Sequence, residues 1–63
     1  MYILARFYDS YIRKTVAEIR MTDCKSKKEA QKDCAYMGIE FIGYGKFSSL
    51  KTLAKRRKLE LIS

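Results

Sequence analysis

Sixty-three residues make one small domain at most, and a domain of that size buries only about 60% of the surface its unfolded chain exposes, so a partner subunit would help it. Two cysteines with no histidine argue against a zinc or iron-sulfur site. Fourteen Lys and Arg against seven Asp and Glu give a formal charge of +7, unevenly spread: residues 1–45 carry eight cations and six anions, net +2, and residues 46–63 carry six and one, net +5.

Met1–Tyr8, M-Y-I-L-A-R-F-Y, is aromatic and branched with no helix cap before it, which predicts a strand. Both of its faces are largely apolar. Either it is a central strand covered on both sides, or one aromatic face is open for binding. Arg6 interrupts the even-numbered face, where a planar cation suits a place between tyrosines or on a phosphate.

Asp9 and Ser10 read as a turn or as a helix N-cap. From Tyr11 to Met21 a helix would align Ile12, Val16 and Ile19, and a strand would align Thr15, Ala17, Ile19 and Met21. The recurring β-branched residues favour a strand from about Arg13 to Thr22, with a hairpin loop at about Asp9 to Ile12 and Ile19 in the core. Ser26-Lys27-Lys28-Glu29 matches a capping box, opening a helix over 26–37 with Ala30, Cys34 and Met37 on one face and Gly38 as its stop.

Ile39–Gly45, I-E-F-I-G-Y-G, reads as a third strand whose glycines mark a bulge, an edge or a close backbone approach, continuing into Lys46 and Phe47. A second helix follows over 49–60, capped by Ser48 or Ser49, with Leu50, Leu53 and Ala54 as its apolar stripe and Lys51, Lys55 and Lys58 along another face. The tail Leu59–Ile62 either lengthens that helix or pairs with a sheet edge. The expected fold is therefore a small single α+β domain of order ββαβα, a three-stranded mainly antiparallel sheet with two helices.

Two local patterns are shared with DNA-binding proteins. Residues 48–57, S-S-L-K-T-L-A-K-R-R, resemble the first helix of a helix-turn-helix, but too little chain follows to supply a recognition helix. Residues 2–37, two strands followed by C-K-S-K-K-E-A, are similar to the N-terminal DNA-binding modules of phage-type integrases, in which a comparable S/T-K-K-E-A opens the helix. In that family three strands precede the helix and the sheet enters the major groove; here two strands precede it, and the likeness rests on a common capping pattern.

No catalytic signature is present. Asp23, Glu29 and Asp33 cluster around a surface helix, neither cysteine has a histidine to activate it, and G-Y-G lacks the spacing of a phosphate loop, so no enzyme activity and no cofactor are expected. Both thiols are expected to be reduced, since the chain has no apolar run of about fifteen residues and no signal-peptide core, which points to the cytoplasm. Eight aromatics stand among the cations, of which about two in the core are expected for each one serving a site.

The segment most in need of a partner is Lys46–Lys58, with six cations and no carboxylate. Lys55, Arg56, Arg57 and Lys58 repel one another unless an anionic surface neutralises them. The leading expectation is non-catalytic nucleic-acid binding, DNA or RNA, through phosphate contacts from Lys46, Lys51, Lys55, Arg56, Arg57 and Lys58. The rival is a small interaction or inhibitor protein, of the kind phages and mobile elements use, binding an acidic site on a host protein. A membrane surface is not expected, because the basic helix has no Trp and only a narrow apolar face. Self-association stays open.

Overall fold

The computed structural model describes residues 1–62. Five elements follow one another: β1 (Tyr2–Asp9), β2 (Lys14–Met21), α1 (Lys27–Met37), β3 (Glu40–Gly45) and α2 (Phe47–Arg56). They form the α+β domain of order ββαβα anticipated from the sequence, with antiparallel strands in the spatial order β2-β1-β3.

β1 is central because it alone is apolar on both faces. Ile3 and Ala5 point to one side, where they bury against Ala30 and Cys34 of α1, with Cys24, Ile39, Phe41 and Tyr44 around them. Leu4 points to the other side and meets Ala17 of β2 and Leu50 and Ala54 of α2, bordered by Tyr2, Ile19, Ile42, Leu53 and Leu59. The helices therefore lie on opposite faces of the sheet, and of the two readings of β1 the covered central strand is the one observed. Both faces of β1 are thus covered by helices, unlike the open sheet face that the integrase likeness implies. Arg6 is occupied as well: its Nε and Nη2 both donate to Glu40 Oε1 of β3, at 2.9 and 2.7 Å.

The hairpin of β1 and β2 pairs Tyr2 with Met21 and Asp9 with Lys14. Its loop is Ser10–Arg13, one residue later than the sequence implied. Asp9 Oδ1 accepts the Tyr11 amide at 2.9 Å, and Arg13 turns the chain with a left-handed φ of 57°. Ala17 is buried and Ile19 half-buried against the α2-side core, but Met21 of the same alternation is 77% exposed.

On β3 the pairing with β1 shifts between Leu4 and Ala5: Gly43 stands opposite Leu4 and Phe41 opposite Ala5, leaving Ile42 as the extra residue of a bulge. Gly43 is needed there because α2 lies close. A Cβ on it would sit 3.0 Å from Leu53 Cδ2 and 3.1 Å from Leu50 Cδ2.

Helix α1 opens at Ser26 as the capping sequence implies, Ser26 Oγ accepting from the Glu29 amide at 3.1 Å, while the return bond from the Glu29 side chain is not made among the described residues. Ala30 and Cys34 are buried, whereas Met37 is left largely exposed at the helix end. Helix α2 departs from expectation at both ends. The strand stops at Gly45 and the helix starts at Phe47, whose ring stands edge-on to Tyr2 at a centroid distance of 5.3 Å. The N-cap is consequently Lys46, which makes no side-chain cap, and Ser48 and Ser49 are inside the first turn. The helix ends at Arg56 rather than 60, because Leu59 turns back onto the core and the tail runs alongside β2. There the Ala17 amide donates to the Glu60 carbonyl at 2.8 Å and the Ile62 amide to the Ala17 carbonyl at 2.9 Å, a parallel bridge centred on Leu61.

Both helices stop in the same way. In α1 the Gly38 amide donates to Ala35 O and the Ile39 amide to Cys34 O; in α2 the Lys58 amide donates to Lys55 O and the Leu59 amide to Ala54 O. This double closure is the Schellman motif, and it needs a left-handed residue at its turn. That residue is Gly38 at φ 73° in the first case and Lys58 at φ 56° in the second.

Candidate nucleic-acid interface

The six cations singled out in the sequence are all exposed, but they do not lie on one face. Lys51 and Lys55 are four residues apart on α2 and form a row along one flank of the apolar stripe. Arg56 is a further 100° around the helix, on the opposite flank. Arg57 follows the last helical turn and Lys58 occupies the left-handed turn beyond it, so the four consecutive cations wrap the C-terminal end of α2 instead of continuing a helical face. Lys46 stands at the other end of the helix, about 14 Å away along its axis.

Electrostatics at the two ends differ. Lys55 and Arg56 occupy the last turn, where the carbonyl end of the helix dipole favours cations. Lys46 occupies the N-cap, where the dipole disfavours a cation and Ser, Thr, Asp or Asn would satisfy a free amide. The single carboxylate of residues 46–63, Glu60, pairs with Lys14 of β2 at 3.6 Å. Among the described residues none of the six site cations makes an ion pair, whereas Arg6, Lys14 and Arg20 each have a carboxylate within 4.0 Å. The lysines of α1 have Glu29 and Asp33 on their own helix, so α1 presents mixed charge.

Of the eight aromatics, Tyr2, Phe7, Phe41 and Tyr44 are half-buried, and Tyr8, Tyr11, Tyr36 and Phe47 are exposed. Tyr44 is fixed by its hydroxyl, which donates to the Cys24 carbonyl at 2.5 Å. Tyr11 lies in the hairpin loop, 95% exposed, and Tyr36 on α1, 93% exposed. Phe47 alone belongs to the element that carries the cations, one turn before Lys51. Reading it as part of a strand concealed this relation; the signal was its i, i+4 spacing to Lys51.

Both cysteines are free, Cys34 is buried, and burial, with Asp33 and Cys24 nearby, pushes its thiol pKa up, which keeps it in the unreactive form. No group of three or more metal-ligating side chains occurs among the described residues. No helix among them is long and apolar enough to cross a membrane. Compared with family models, curated proteins and solved structures, the chain matches none.

Proposed function

We propose that this domain is a non-catalytic nucleic-acid-binding protein that contacts phosphates with the basic side of α2 and the turn after it. The observation that carries the reading is the unneutralised state of Lys51, Lys55, Arg56, Arg57 and Lys58: they are exposed, crowded and unpaired among the described residues, while the nearest acid in sequence, Glu60, is engaged by Lys14. Cations so placed repel one another, and a polyanion relieves that repulsion while releasing its own counterions. The core stays out of the interface. Leu50 and Ala54 carry α2's attachment to the sheet, so α2 offers phosphates a firm support.

The test is the combined replacement Lys55→Gln, Arg56→Gln, Arg57→Gln and Lys58→Gln. Thermal unfolding is expected to stay close to wild type, because exposed charges contribute within about 0.5 kcal/mol each. Binding to random-sequence DNA and RNA is expected to fall for all sequences alike, with the salt slope reduced by roughly 0.7 to 0.9 per lost contact. Unchanged binding would reduce the segment to an ordinary solvated surface. Recovery of a stoichiometric protein that resists nuclease would turn the same surface toward an acidic protein, with the loss then concentrated in the association rate and removed by salt.

A further inference from the structure

Between α2, β2 and the tail lies a groove of about 380 Å³, lined by Ile19, Phe47, Lys51, Leu61, Ile62 and the edge of Glu18. The fold builds it as a consequence of the early start of α2. Phe47 is set against Tyr2 at the helix's first turn, and the tail is held to β2 at Ala17, so a trough stays open between them. Four of its six lining residues are apolar, and of these Phe47 is 46% and Leu61 37% exposed. Glu18 adds little negative charge at the rim, since Arg20 Nε holds its carboxylate at 3.3 Å.

We propose that this groove is the seat of an unpaired nucleobase, and that the nucleic acid bound by the domain is single-stranded. The inference rests on the phosphate-binding reading of α2 and deepens it. Three features favour a base over any other apolar occupant. An exposed aromatic ring lies in the groove, and bases stack on such rings irrespective of sequence. Lys51 borders the same groove and Lys55 continues the row one turn further on, so a strand whose base enters beside Phe47 has its phosphates led toward the cations at the end of α2. The volume exceeds that of one planar ring system and is open on one side, as entry of a base without passage of its backbone requires. A duplex offers no unstacked base to such a trough and would touch the cations alone.

The experiment uses the full chain with labelled oligothymidine and oligouridine single strands and a duplex of equal length. Phe47→Leu keeps the apolar contact with Tyr2 and removes the ring; Phe47→Trp keeps a ring and adds a fluorophore. Wild type is expected to bind single strands more tightly than duplex. Phe47→Leu is expected to lower single-strand affinity at least about fivefold, the lower bound for losing one stacked base, and to leave duplex affinity unchanged. Phe47→Trp is expected to retain single-strand affinity, and its tryptophan emission to be quenched by single strands but not by duplex. Thermal melts of both variants verify that α2 remains docked. Equal single-strand affinity of Phe47→Leu and wild type, or an unmoved tryptophan signal during saturable binding, overturns the groove assignment while phosphate binding survives. Absence of any nucleic-acid binding removes both readings. Concentration-dependent self-association without nucleic acid, lost in Phe47→Leu, would instead assign the groove to a second copy of the chain and likewise overturn the proposal.

Discussion

Lys58→Gly is expected to stabilise this domain, although it removes a side chain and enlarges the freedom of the unfolded chain. Lys58 occupies the left-handed turn of a Schellman closure at φ 56°, the position that α1 fills with Gly38 at φ 73°. A Cβ in that conformation crowds the following carbonyl oxygen and costs roughly 1–2 kcal/mol. Glycine removes this cost but adds unfolded-state entropy worth roughly 0.5–1 kcal/mol. The net gain is about 0.5–1 kcal/mol. Relief of repulsion from Lys55, Arg56 and Arg57 adds a few tenths, which Lys58→Ala measures separately because alanine loses the charge and keeps the Cβ. For a domain of this size a gain of 1 kcal/mol is a rise of about 4–8 °C in Tm. Thermal and urea unfolding of wild type, Lys58→Ala and Lys58→Gly give the three values needed. Were Lys58→Gly no more stable than Lys58→Ala, the left-handed turn would not be strained and the reasoning would fail. The same variant should bind nucleic acid more weakly, so that stability and binding move in opposite directions.

Three further outcomes follow from the packing. Gly43→Ala places a methyl group 3.0 Å from Leu53 Cδ2 and 3.1 Å from Leu50 Cδ2, so both side chains must give by a few tenths of an ångström although Leu50 is buried; a net loss of about 1 kcal/mol is expected in urea unfolding, and equal or greater stability would show that the two leucines or α2 shift freely on the sheet. The raised pKa of Cys34 means that the folded state keeps its proton while the unfolded thiol loses it above the ordinary value of 9.0. Its contribution to stability is complete below that pH and is lost as pH rises toward the folded value, so unfolding free energy should decline in that window more steeply in wild type than in Cys34→Ala. Parallel curves for the two proteins would show the thiol to be unperturbed. Native-state alkylation should correspondingly modify half-buried Cys24 before Cys34.

Features set by neighbours a few residues apart were legible in the chain by itself. Ser26 and Glu29 fixed the start of α1, Gly38 its end, and Leu50, Leu53 and Ala54 the docking stripe of α2, because each needs only helical periodicity or a local hydrogen bond. The β-branched residues recurring from Thr15 to Ile19 favoured strand over helix, where the periodicity allowed both. Cation clustering was visible too, since charge is a property of composition. What the tertiary structure decided involves residues distant in sequence. The start of α2 depends on Phe47 meeting Tyr2, and its end on Leu59 returning to the core. The placement of the helices on opposite faces depends on β1 lying between β2 and β3, which closes both faces of the strand that a sequence reading left open. Met21 and Met37 fell on apolar alternations and yet stay exposed, because periodicity names a face without saying whether another element reaches it. The groove at Phe47 has no local signature at all: its walls come from β2, α2 and the tail, and only their packing brings Ile19, Phe47 and Leu61 together.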